Sequence, residues 1–383
     1  MLYFDHNATS LMIPEAREIW LDATERYIGN PSSPHRIGDR AEKAMNDARE
    51  CLANIIGCHP VEIVWTSGAT EANNMVMNHV AQSRGELAAV WISAIEHPSV
   101  LESARVHFPK AHTLIPVEND GTVDIERLRD GFSKRHPALI GVMAVNNETG
   151  ILQPWREVQE MCLGTKVLSF CDATQLFGKL PAGGVAACDF VSGSAHKFGG
   201  PRGVGFLKCP EGEKIKSLIY GGSQESGRRA GTENVPGVLA MVKALEIREA
   251  GMREGDAKQR YEWRNEFVEK MQASVPEVQL VGIDADRVWN TVSCLMPQAD
   301  CQQRWVVKLD KAGFAVSTGS ACSSGKEQPS HVLTAMGYAH EDAGRVLRFS
   351  SGWDTTSEDW AALLQGIAAV QKELAKQPDS TAS

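Results

Sequence analysis

The chain has nine cysteines in 383 residues but no C-x-x-C spacing among them. An odd count without that spacing argues against both a disulfide framework and a structural zinc site, so most of the thiols are expected to be small buried hydrophobes. No apolar run approaches the length of a membrane span. The opening MLYFDHNATS carries an acid where a secretory leader would carry basic residues ahead of an apolar segment, so the cytoplasm is the expected compartment. Positive charge is in deficit as well. A formal net charge of -9 argues against a nucleic-acid surface as the main business, and no direct nucleic-acid binding is expected. There is no internal repeat and no low-complexity tract. What is present, 43% hydrophobic and 23% charged residues, is the composition of a soluble folded protein in which only the closing QPDSTAS is expected to fray.

A helix is expected from Pro14 to Tyr27, opened by its proline, and another over residues 38–56, stopped by Gly57. Short apolar runs follow: VEIVWT (61–66), AAVWIS (88–93), ALIGVMAV (138–145), KVLSF (166–170), DFVS (189–192) and GVGFL (203–207). Helical patterns separate several of them. This alternation predicts an α/β fold with a mostly parallel sheet covered by helices on both faces. A charged helical stretch from about Val235 to Gln272 then bridges to a smaller α+β unit, with a strand at TVSCLM and a closing helix from about Ser357 to Lys376.

Ligands of such sheets bind beyond the carboxyl ends of the strands. The residues there are Ser67-Gly68-Ala69-Thr70, Glu96-His97, Asn146-Asn147-Glu148, Asp172-Ala173-Thr174-Gln175 and Ser194-Ala195-His196-Lys197. A strand that runs through small hydroxylated residues into a helix offers free N–H groups to a phosphate. Ser67 with Glu71 also suits a plain helix cap. Asp172 could equally cap the next turn, and His97 could be a satisfied imidazole. Together, however, the phosphate seat, acid, imidazole and lysine form the set that pyridoxal phosphate requires. Lys197 would bond the aldehyde, Asp172 hold the ring nitrogen protonated, His97 stack on the ring, and Gln175 and His196 reach the phenolic oxygen and the phosphate.

The segments SGATEANN, EHPSV, NNETG, CDATQLFGK, SAHKFGGPRGVGFL, GGSQESGRRAGTENVPG and STGSACSSGKEQPSHVLTAMG, with YFDHNATS and GNPSSPHRIG ahead of them, occur in this order along nearly the whole chain. The series resembles that of the NifS/IscS-type cysteine desulfurases, a branch of the fold-type I pyridoxal-phosphate enzymes. The resemblance implies a large domain over 13–255, with a mostly parallel seven-stranded sheet sandwiched by helices, and a smaller α+β domain made of 1–12 with 256–383. It implies a homodimer that converts L-cysteine to L-alanine and leaves the sulfur on Cys322 as a persulfide for an acceptor protein. Lys197, Cys322 and His97 would then be catalytic. Ala69, Thr70, Asp172, Gln175, Ser194 and His196 would hold the cofactor, with Thr232 reaching it from the other subunit, while Asn147 and Arg348 would hold the substrate carboxylate. Cys322 sits among small residues suited to travel, in a stretch unlike that of any other cysteine of the chain.

Trp353 and Asp354 stand where many members carry an arginine after the glycine, and are expected to alter the rim of the site. Ser226 replaces a residue that is often basic. The tail is shorter than in scaffold-binding members, which leaves iron–sulfur assembly, tRNA thiolation and DNA sulfur modification open as destinations. A pyridoxal-phosphate lyase or aminotransferase acting on another small amino acid, selenocysteine included, and a non-catalytic sulfur relay are the competing expectations.

Overall fold

The computed structural model describes residues 1–275, 277–298, 302–318 and 330–375. Its strands in chain order are β1 (Leu2–Tyr3), β2 (Ile63–Thr66), β3 (Val90–Ser93), β4 (His112–Ile115), β5 (Leu139–Gly141), β6 (Leu168–Asp172), β7 (Phe190–Ser194), β8 (Gly205–Lys208), β9 (Gln279–Leu280), β10 (Thr291–Leu295), β11 (Phe314–Ala315) and β12 (Val346–Ser350). The helices are α1 (Pro14–Arg26), α2 (Arg36–Ile56), α3 (Ala69–Arg84), α4 (Pro98–His107), α5 (Ile125–Lys134), α6 (Trp155–Cys162), α7 (Val235–Arg253), α8 (Asp256–Ser274), α9 (Gln302–Lys311), α10 (His331–Ala335), α11 (His340–Ala343) and α12 (Ser357–Ala375).

Seven strands form the main sheet, in the order β2-β8-β7-β6-β5-β3-β4. Strands β7, β6, β5, β3 and β4 pair in parallel; β8 is antiparallel to both β7 and β2, so every strand but β8 runs the same way. Alternate side chains of each strand enter opposite layers. Trp65, Cys171, Val191 and Phe206 pack with α1, α2 and α7, whereas Val64, Phe170, Phe190 and Leu207 pack with α3 and α4. A third core lies between α8, α12 and the three-stranded antiparallel sheet β12-β10-β9, and Phe4 belongs to it while Ile13 belongs to the α1–α2–α7 layer.

The structure departs from the sequence pattern in three places. The edge strand β4 went unread because its HTLI has two exposed residues and no alternating stripe. The run ALIGVMAV supplies only three residues of regular strand before it becomes the loop that carries Asn146 to Glu148. The helical stretch from Val235 is two helices, broken at Gly255, whose φ of 90° few other residues adopt. Among the described residues no helix is long and apolar enough to cross a membrane.

Candidate active site

Because β2, β3, β6 and β7 run the same way, the turns after them meet along one edge of the sheet. Thr66 pairs with Gly205 and Gly205 with Ser194, which sets the 67–70 turn against the end of β7. The approach is close: a Cβ on Gly205 would lie 2.6 Å from the Cα of Gly68 and 2.5 Å from the carbonyl of Gly193. One on Gly68 would meet Ser194 Oγ at 3.4 Å. Backbone and hydroxyl thus line a cradle at the start of α3.

The capping expectation for Ser67 is corrected here. Gly68 is the residue before α3 and no side chain caps the helix. Glu71 instead accepts the Ser67 N–H at 2.7 Å and pairs with Arg229 at 2.9 Å. The helical ladder begins with Ala72 N–H on the Gly68 carbonyl, so the N–H groups of Ala69, Thr70 and Glu71 emerge at the positive end of the helix. This is the local geometry of an anion seat.

Lys197 ends a short 3-10 turn directly after β7. Its Nζ donates to the carbonyls of Asn7 at 2.7 Å and Ala8 at 2.8 Å. Burial and the neighbouring Arg348 guanidinium push its pKa down to about 8, against the pull of Asp172 and Asp5. Asp172 closes β6 and is buried; Oδ1 accepts the Thr174 N–H at 3.0 Å and Oδ2 accepts Asn73 Nδ2 at 2.9 Å. It therefore caps its own turn and still presents its charge to Lys197. His97 is exposed and opens α4, with Nδ1 accepting the Ser99 N–H at 3.1 Å. Crowding by protein lowers its pKa, Asp172 opposes this, and Lys197 and His331 add to it. His196, half-buried beside Thr9 Oγ1 at 3.2 Å, is pushed down to about 4 by burial and by Lys197, and is neutral.

Arg348, on β12, crosses to the same place. Nη2 pairs with Asp5 at 2.7 Å, Nη1 donates to the Asn147 carbonyl at 2.8 Å, and the buried Nε has no partner among the described residues. Two further residues escaped the sequence reading. Asn7 gives its carbonyl to both Lys197 Nζ and Gln175 Nε2, its Oδ1 to Lys179 and Asn290, and its Nδ2 to Asn147 and Thr291. Lys179 is fully buried with no carboxylate partner among the described residues, bonded to Asn7 and Gln175, and held well below the usual lysine pKa by burial and by Lys197. The motifs YFDHNATS and CDATQLFGK contain both residues, but nothing local distinguishes them from surface polar groups.

Lys197, Asp172, Gln175, His97, Ser194, His196, Ala69, Thr70, Asn147 and Arg348 therefore belong to one region. Thr232 is exposed to solvent. Cys322 lies outside the described residues. Trp353 leaves the rim: its Nε1 donates to the Gly178 carbonyl at 2.6 Å, and its ring lies beneath the Arg248 and Arg260 guanidinium groups at 5.2 and 4.8 Å. Asp354 faces His6 at 4.0 Å. Ser226 follows Glu225 in a left-handed pair, φ 58° and 50°, fixed by Glu225 binding Arg49 at 2.7 Å.

The family model described as aminotransferase class-V matches residues 2–363. A curated relative from Dictyoglomus turgidum, cysteine desulfurase IscS, is 37% identical, covering 97% of this chain and 95% of its own. A solved NifS-like protein superposes with a TM-score of 0.88 at 31% identity, over 97% of this chain and 99% of the other. The solved structure of SspA in complex with cysteine superposes with a TM-score of 0.80 at 29% identity, over 91% and 98%.

Proposed function

We infer that this chain, which belongs to the aminotransferase class-V family, is a cysteine desulfurase that turns L-cysteine into L-alanine. The observation that carries the reading is the convergence of a half-buried lysine of lowered pKa, a buried carboxylate and an imidazole on one sheet edge, beside an anion seat. The residues fit pyridoxal phosphate. The α3 N–H groups with Thr70, Ser194 and His196 would take the phosphate, Asp172 the ring nitrogen, Gln175 the phenolic oxygen, and His97 the ring face. When bound, the group supplies an electron sink that makes the α-proton of an amino acid acidic and opens its sulfur to attack.

The chain supplies the rest. Arg348 meets the substrate carboxylate with its guanidinium, whose plane Asp5 and Asn147 hold still. The Lys197 amine, substantially neutral near pH 8, takes the α-proton at Nζ. The Cys322 thiolate bonds to the substrate sulfur as the carbon–sulfur bond breaks with its electron pair staying on the β-carbon, which takes up a proton; Lys197 returns a proton to the α-carbon and alanine departs. The persulfide then passes to an acceptor protein.

The division into 13–255 and 1–12 with 256–383 is supported by the separate cores of Ile13 and Phe4 and by the break at Gly255. A homodimer is supported by Leu11, Leu21, Ile28 and Tyr220, apolar side chains left 58 to 78% exposed on a single chain. A cytoplasmic setting is supported by the unpaired state of the described cysteines.

Incubation with cysteine should yield alanine and protein-bound sulfur in equal initial amounts. Lys197→Ala should abolish turnover, whereas Cys322→Ala should keep the cofactor's absorbance and lose sulfur transfer. A Cys322→Ala enzyme that still releases alanine from cysteine at the wild-type rate overturns the role of that thiol. Alanine formation without label on the protein points instead to a lyase.

A further inference from the structure

The cap that His97 makes on α4 fixes where its proton sits. A main-chain N–H can only donate, so the Ser99 N–H at 3.1 Å requires a lone pair on Nδ1. A neutral ring then carries its proton on Nε2. Ser99 Oγ lies 2.8 Å from the same nitrogen. Its direction is set from behind: Asn73 Nδ2 donates to Ser99 Oγ at 2.8 Å and to Asp172 Oδ2 at 2.9 Å. Having accepted from Asn73, the hydroxyl turns its own proton toward Nδ1. Asn73 is fully buried and cannot flip, because its Oδ1 would then face the Asp172 carboxylate. In the observed orientation Oδ1 has no partner among the described residues, an unmet buried acceptor that packing alone does not explain.

We infer that Asn73 and Ser99 form a fixed bridge between Asp172 and His97, and that Ser99 is a positioning residue holding His97 as the neutral Nε2–H tautomer. The inference rests on the proposed function, in which Asp172 and His97 contact the same bound ring. Its chemical consequence is specific. The only nitrogen of His97 that could gain a proton is Nδ1, and two donors already occupy it, so the ring acts as an N–H donor and a stacking face. The charged and titratable neighbours are Asp172, which favours protonation, and Lys197 and His331, which oppose it.

The experiment uses full-length, cofactor-loaded protein labelled with nitrogen-15 histidine, with His97→Gln identifying the signals of that ring. In the wild type, Nδ1 should resonate as an unprotonated nitrogen and Nε2 as a protonated one across neutral pH. Ser99→Ala removes a donor that favours the neutral ring, so the His97 titration midpoint and the acid limb of kcat/KM for cysteine should both move to higher pH. The plateau should fall about fivefold, the loss expected for one hydrogen bond. Ser99→Thr keeps the hydroxyl and should restore all three readings. A wild-type ring protonated at Nδ1, or a Ser99→Ala protein with unchanged midpoint and pH profile, overturns the bridge. The nitrogen spectra do not depend on turnover, so the expected tautomer in a protein that makes no alanine would refute the desulfurase reading and leave the bridge standing.

Discussion

Lys197 meets two main-chain carbonyls, of Asn7 and Ala8, which orient its amine without neutralising it. Burial and Arg348 therefore outweigh the pull of Asp172 and Asp5, and the pKa falls to about 8. An amine attacks an aldehyde only when unprotonated, so the reaction should switch on as pH rises through 8, whereas an ordinary surface lysine would require a pH above about 10. Protein freed of cofactor, offered pyridoxal and reduced with borohydride, should give a Lys197 adduct whose initial rate rises with that midpoint. Arg348→Met removes the second cause of the depression and should raise the midpoint. An unchanged midpoint in that variant would mean that burial acts alone. Lys197, Asp172 and His97 were legible in the sequence because each lies within a few residues of the end of an apolar run, and that position carries chemical meaning in a parallel sheet. Asn7, Asn73 and Lys179 were not. Asn73 lies inside a helix and Asn7 inside a tight turn, and their side chains find partners up to 284 residues away.

The elements deliver these side chains through close backbone contact, and the contact between β8 and the turn before α3 is the tightest test of that. At Gly205 a methyl group would meet Gly68 Cα at 2.6 Å and Gly193 O at 2.5 Å, both main chain on neighbouring strands or turns. Neither can give way without moving the cradle. Gly205→Ala should therefore lower stability by about 1–3 kcal/mol, read as a shifted denaturant midpoint, and should weaken cofactor retention more than Ala substitution at Gly183, where nothing lies within 4 Å and the backbone is not left-handed. Equal effects at both glycines would mean that the cradle is not built by this approach. The strands flanking the site were readable as continuous apolar runs because both faces are covered, as the fully buried IVWT of β2 and LSFCD of β6 illustrate. The edge strand β4 is half covered, so its sequence lacks that signature, and α3 starts from Gly68 without the Ser67 cap that the sequence offered as an alternative. Tertiary packing on Gly205 decides the matter there.

At the scale of the molecule, the single chain leaves Thr232 exposed while the rest of the phosphate seat is assembled, and it leaves Leu11, Leu21, Ile28 and Tyr220 uncovered. A second copy related by a two-fold axis would cover the apolar side chains and bring its own Thr232 to the phosphate, giving two sites that each draw on both subunits. Complementation separates that arrangement from a site closed within one chain. Lys197→Ala lacks the amine, and Thr232→Asp places a negative charge against the phosphate, so each variant alone should be inactive. In a mixed dimer one site collects both defects and the other collects neither: the Lys197 of the Thr232→Asp chain meets the Thr232 of the Lys197→Ala chain. Random exchange makes half the dimers mixed with one intact site each, so cysteine turnover should recover to about one quarter of wild type. If Thr232 serves its own chain's site, every Thr232→Asp chain stays dead and mixing recovers nothing. Carrying different affinity tags on the two chains and recovering one tag with the other shows whether exchange occurred, so a failure to recover activity can be assigned to the site and not to the assembly.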